Sequence, residues 1–270
     1  MALANRITSR LSINVYFMLR VFIVCGLLGL ALSITSVYTV DYSSLSSEEL
    51  FEKGQYYFNH GDSADGSYDL DKAANFYLLA LEADRHPLAW YQLGRIDFLE
   101  GRNDDAIAKF RKQQELYGDL VPKTYYMLGL TYAFKALQLE DSQSWLYSEK
   151  YFIEYMRFVN YAPWPAVDLA WVYFMQSNYI AMEPLLSRAL ERHPDNPWVL
   201  NMYGLAMLNL EEDRGLAIPY FEHAKDQALL LTPNDWGDVY PGNDPKYWQQ
   251  GRDEFIATID KNIGIANSAI

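Results

Sequence analysis

The sequence predicts an all-α chain: a solenoid of about five helix–turn–helix repeats, closed by a C-terminal capping helix and preceded by one transmembrane helix. Three observations carry that expectation. Small residues recur at Gly54, Gly94, Gly129, Ala170 and Gly204, at intervals of 40, 35, 41 and 34 residues. From Leu50 onward, Gly, Pro and Asn fall mostly at the joints between helical patterns. Before that point, Val21 to Val40 runs for twenty residues without a formal charge.

Composition sets the outer limits. Half of the 270 residues are hydrophobic, enough for a sizeable core, and aromatics stand out, with 22 Tyr and 7 Trp. Cys25 is the only cysteine, so no intramolecular disulfide can form. The net charge of −13 is unevenly spread. The first forty residues carry Arg6, Arg10 and Arg20 and no acid, leaving 19 basic against 35 acidic residues in the rest. A body so acidic is repelled by phosphate backbones, which argues against nucleic acid as a partner.

The apolar run "VFIVCGLLGLALSITSVYTV" is long enough, at about 1.5 Å per residue, to span roughly 30 Å of hydrocarbon. It is apolar on all faces, and its arginines lie only on the N-terminal side. The alternative, a cleaved signal peptide, is disfavoured by the length of the run and by the poor cleavage site in "SITSV". The residue pattern around Cys25 also lacks the small residue that lipidation requires before the cysteine. The positive-inside rule puts the arginines in the cytoplasm and everything after Val40 on the far side. The expected division is a short basic cytoplasmic N-terminus (1–20), a transmembrane helix (21–40), a repeat domain (41–231), and a linker with a capping helix (232–270). The expected product is a single-pass membrane protein with an extracytoplasmic repeat domain and the lipid bilayer as a partner of its N-terminal helix.

The repeats are visible when "AWYQLGRIDFLEGRNDDAIAKF" (89–110) is set beside "VLNMYGLAMLNLEEDRGLAIPYF" (199–221). Each has an apolar residue beside a small one, a polar turn, then an alanine and an aromatic four residues later. Partner alanines recur as Ala73 and Ala80, Ala106, Ala189, and Ala217 and Ala224. Small residues at these places let antiparallel helices approach, and Tyr77, Phe110, Phe152, Leu186 and Phe221 are placed to fill the adjoining space. This pattern resembles the tetratricopeptide repeat (TPR), a unit of roughly 34 residues. The resemblance covers about Leu45 to Leu231 and implies a right-handed superhelix. "HPDNPWVLNMYGLAM" carries the motif most fully. Departures are Asp97 where an aromatic is usual, Ser148 and Tyr155 in place of alanines, and Met182. Repeats one and three are each about seven residues longer than the motif expects.

In repeat one the extra residues form "GDSADGSYDLD" (61–71), with four carboxylates in eleven residues. An EF-hand register fails there. With Gly66 at loop position 6, Gly61 stands at 1, Ser63 at 3 and Lys72 at 12, where acids or amides are needed. The favoured reading is an inter-helix loop whose Asp69 or Asp71 caps the next helix. A weak calcium site on Asp62, Asp65 and Asp69 is the alternative. At the other end, "TPNDWGDVYPGNDPKYW" is turn-rich and precedes a helix starting near Pro245, with Asn243 or Asp244 as its cap. Trp248, Gly251, Phe255, Ile259 and Ile263 share one face of it, suited to cover the last repeat.

No catalytic or metal-binding pattern stands out. His60, His86, His193 and His223 are dispersed, and the chain has no phosphate loop, G-x-S-x-G or H-E-x-x-H. The expectation is a protein that is no enzyme, without cofactor or metal, and not built for small molecules. What remains is a surface. The TPR resemblance implies that the first helices line a concave groove. Its ligand-facing positions fall on Phe51 and Phe58, on Tyr91, Arg95 and Phe98, on Lys123 and Tyr126, on Trp164, Trp171 and Phe174, and on Trp198 and Asn201. About half of these are expected to pack helix against helix instead. The expected partner-binding set is Tyr91, Arg95, Phe98, Tyr126, Trp171, Phe174 and Asn201. So aromatic a groove, with only Arg95, Lys123 and Asn201 as candidates for gripping a C-terminal carboxylate, suits protein or peptide partners presenting an extended or Pro-rich segment, or a helix laid in it, more than a carboxylate clamp. The leading function is a membrane-anchored scaffold or adaptor; the alternative is a glycan-handling accessory or enzyme subunit that stacks sugars on the same rings.

Overall fold

The computed structural model describes residues 42–59, 69–210, 214–239 and 245–268, and every regular element among them is helical. The Val21–Val40 span, His60, the 61–68 part of the acidic loop, Asn243 and Asp244 lie outside these residues. Among the described residues, no helix is long and apolar enough to cross a membrane.

The first repeat opens with a capping box. The Ser46 amide donates to Glu49 Oε2 at 2.8 Å, and the Glu49 amide donates back to Ser46 Oγ at 3.2 Å, which starts α1 (Ser47–Asn59). After the acidic loop, Asp69 caps α2 (Leu70–Asp84) by accepting the Lys72 amide at 3.0 Å, as the sequence suggested. The pattern repeats as α3 (Ala89–Leu99) with α4 (Asn103–Tyr117), α5 (Lys123–Leu139) with α6 (Ser142–Val159), α7 (Pro163–Met175) with α8 (Tyr179–Arg192), and α9 (Pro197–Leu210) with α10 (Ile218–Leu230). In repeat three the extra residues lengthen the helices. α5 has 17 residues against 11 in α3, and α6 has 18 against 15 in α4.

Each first helix packs on its own second helix, and each second helix packs on the next first helix. The anticipated close approaches are present. A methyl group added at Gly94 would lie 2.7 Å from the Phe110 ring, and one at Gly204 would lie 2.6 Å from Phe221. Tyr77, Phe110, Phe152, Leu186 and Phe221 are all fully buried. Two of the departures from the repeat pattern are compensated by polar contacts. Ser148 donates to Gly129 O at 2.7 Å, so its hydroxyl is satisfied at an alanine's place. Asp97, only 3% exposed, is held by Lys109 and by Arg102, whose Nε lies 3.1 Å from Oδ1.

The C-terminal segment adds a short helix that the turn-rich reading missed, α11 (Pro233–Val239). Thr232 and Asp235 form its capping box, and Pro233 occupies its first position. A 3₁₀ turn, Pro245–Tyr247, then leads into α12 (Trp248–Asn267). The long helix therefore starts at Trp248 rather than Pro245, and Tyr247 at its N-cap makes no side-chain cap bond. α12 packs on α10 and touches α9, the place a sixth first helix would take. Phe255 and Ile259 are buried there, as the stripe predicted.

Candidate partner-binding groove

Successive first helices touch along one row, α3 on α5, α5 on α7, α7 on α9 and α9 on α12. That row is the inner side of the stack. Its side chains make up the groove, and they divide into three groups.

The first lies on α3. Gln55 of α1 accepts from both Tyr77 Oη and Gln92 Nε2 at 2.5 Å, and Gln92 Oε1 accepts from Arg95 at 2.9 Å. This relay holds the Arg95 guanidinium 4.4 Å above the Phe58 ring and 6.0 Å from Tyr91. Phe51 and Phe58 themselves are buried at 4% and 1% exposure, so Arg95 of the second repeat, not the first repeat's phenylalanines, stands partly exposed here. Burial raises the Tyr91 phenol above its ordinary pKa, with Arg95 pulling it down and Tyr155 pushing it up. Phe98 sits edge-on to Phe134 of α5 at 5.3 Å and is partly buried.

The second group lies between α5, α6 and α7. Tyr126 packs against Phe152 at 5.7 Å and Tyr155 at 5.4 Å, and its phenol donates to Asp168 Oδ2 at 2.6 Å. The Asp168 carboxyl is pushed up to about 7 by burial, while the Tyr126 bond pulls the other way. The carboxyl lies deep among neighbouring atoms, although the residue as a whole is only partly buried.

The third group is closed. Trp171 is buried, 5.9 Å from Phe134 and 6.2 Å from Trp145, so it joins repeats three and four. Asn201 is buried beneath α12, where it accepts from Asn262 Nδ2 at 2.9 Å. Trp198 stacks on Phe255 of α12 at 5.2 Å. Trp171, Asn201 and Trp198 therefore do not line an open groove, a correction to the sequence expectation. The preceding repeat covers Trp171, and α12 covers Asn201 and Trp198. Phe174 is partly buried against Tyr179 at 5.8 Å, Trp164 stays partly exposed, and Lys123 is exposed.

Asp168 and Tyr155 were missed at the sequence level. A signal existed for the first: Asp168 is the only charged residue in the apolar helix "PWPAVDLAWVYFM". Among the described residues, no three His, Cys, Asp or Glu side chains group as metal ligands.

No protein-family model matches the chain, and no curated protein matches it. Solved structures do. TTC0263, a thermophilic TPR protein from Thermus thermophilus, superposes with a TM-score of 0.51 at 17% identity, over 79% of this chain and 98% of that one. PilW, a widely conserved type IV pilus biogenesis factor, superposes with a TM-score of 0.52 at 19% identity, over 81% of this chain and 94% of that one. The fold is a TPR-like solenoid. In TPR terms, α1, α3, α5, α7 and α9 are the first helices, and α12 is the helix that closes the array.

Proposed function

We propose that the chain is a scaffold that holds a protein or peptide partner along the inner row of its TPR-like solenoid. The observation that supports this most directly is the first-helix row itself. Tyr91, Arg95, Phe98 and Tyr126 stand there only partly buried, on rigid helices, with Arg95 fixed by the Gln55–Gln92 relay. Rings held at low entropic cost beside a single oriented cation are suited to peptide capture. Phe174 extends the same row. The proposal includes a membrane anchor at Val21–Val40 and an extracytoplasmic position for the repeats, both resting on the sequence pattern.

The test is photocrosslinking in cells from a reactive amino acid placed at Tyr91 or Phe98, with Leu146 or Ile180 as exposed controls on second helices. Discrete protein adducts from the inner row alone are expected. Adducts only from the controls would move the site to the outer face. Binding on a glycan array, with no protein adducts, would favour the sugar-stacking alternative. For topology, protease added to cells with a permeabilised outer layer should digest the repeats; full protection would reverse the proposed orientation.

A further inference from the structure

We propose that the inner face of α7 is a receptor for a basic side chain, a lysine or arginine of the bound partner, received by the Asp168 carboxylate beside Tyr126 and Trp164. The inference rests on the groove reading above and names the partner's chemistry.

Asp97 and Asp168 are two buried carboxylates held in opposite ways. Asp97 is enclosed and fully engaged by Lys109 and Arg102. Asp168 accepts one hydrogen bond among the described residues, from Tyr126, and pairs with no cation there. A carboxylate has about four acceptor sites, so most of its capacity is unused. The residue as a whole is nevertheless not fully enclosed. Trp164, partly exposed, stands one helical turn before it on the same helix face. An aromatic ring beside a carboxylate attracts an ammonium or guanidinium rather than an anion. The protein's net charge of −13 steers the same class of partner toward it. Burial favours the neutral acid in the empty groove, and a cation set against it restores the charged form. The receptor therefore discriminates between a basic side chain and a neutral one of the same length.

The test uses the full chain in detergent and a displayed library of random twelve-residue peptides. Selected peptides should share one Lys or Arg position. Replacing that residue by norleucine should weaken binding by about tenfold or more, the equivalent of one charge-assisted contact. Asp168→Asn, checked by its helical content, should abolish the preference for the basic residue. Tyr126→Phe, which keeps the carboxyl, should retain it. Selected peptides without a shared basic position would overturn this inference and leave the groove reading standing. A basic preference that survives in Asp168→Asn would also overturn it, by assigning the charge to another acidic group. Failure to select any peptide would overturn both readings. The norleucine comparison is made on the unaltered protein, so it decides the matter even if the Asp168 variant fails to fold.

Discussion

Gln113 of α4 caps α3 from across its own repeat. Its Oε1 accepts the Tyr91 amide at 3.1 Å, and its Nε2 donates to Pro87 O at 2.7 Å. The α3 N-terminus has no side-chain cap of its own, so a fully buried glutamine supplies what its first turn lacks. Gln113→Leu keeps the volume but removes the partner of both the Tyr91 amide and the Pro87 carbonyl. It should cost about 1–3 kcal/mol in urea unfolding. An unchanged midpoint would show that water replaces both bonds.

Asp97 stands where related repeats place an aromatic, and the ion pairs make that substitution tolerable. Arg102 and Lys109 both engage the carboxylate, so removing Asp97 breaks both pairs, whereas removing Lys109 breaks one. Asp97→Asn should therefore destabilise by at least about 1.5 kcal/mol, and Lys109→Met by less, because Arg102 remains on the carboxylate. The double change Asp97→Leu with Lys109→Met should recover part of the loss. The reverse order of the single variants would remove the pair as the reason for Asp97's burial.

These two residues show where sequence reading stops. Gly94, Phe110 and Ala106 obey a fixed spacing, so the helix pairs and their close contacts were legible from residue types alone. Gln113 and Asp97 are polar residues in the core, and their partners are set by three-dimensional packing. The groove was less legible than the fold. Tyr91, Phe98 and Tyr126 are partly open, but Trp171 and Asn201 are covered by a neighbouring repeat and by α12. A position's register in its own helix does not say what a neighbouring element will lay over it. α11 was readable from Thr232, Pro233 and Asp235, and was hidden by the turn residues around it.

The closing helix should be needed at the C-terminal end only. Phe255 lies stacked on Trp198 and 6.0 Å from Trp236. Phe255→Ala should cost about 3–5 kcal/mol locally, because a solenoid's repeats are stabilised by their neighbours. Hydrogen exchange should quicken in α9, α10 and α12 while α1 to α4 keep their protection, and tryptophan emission should shift to the red. Unchanged exchange in α9 and α10 would remove the capping role.

Asp168 should make stability depend on pH in a defined window. Its folded pKa, near 7, lies above the ordinary aspartate value of 3.8. Between those values the folded protein holds a proton that the unfolded chain has lost, so stability falls as pH rises through the window. Below about pH 4 both states are protonated and the penalty is absent; above about pH 7 it is complete. Asp168→Asn cannot ionise and escapes the penalty. The variant's melting temperature, relative to the parent, should therefore rise between pH 4 and pH 7 and level off above. Tyr126→Phe removes the bond that favours the charged form, so it should push the upper edge of the window higher. A melting-temperature difference between Asp168→Asn and the parent that stays flat from pH 4 to pH 8 would show that the carboxyl titrates alike in both states. A bound basic peptide should flatten the same curve, because a cation against Asp168 lowers its folded pKa toward the unfolded value.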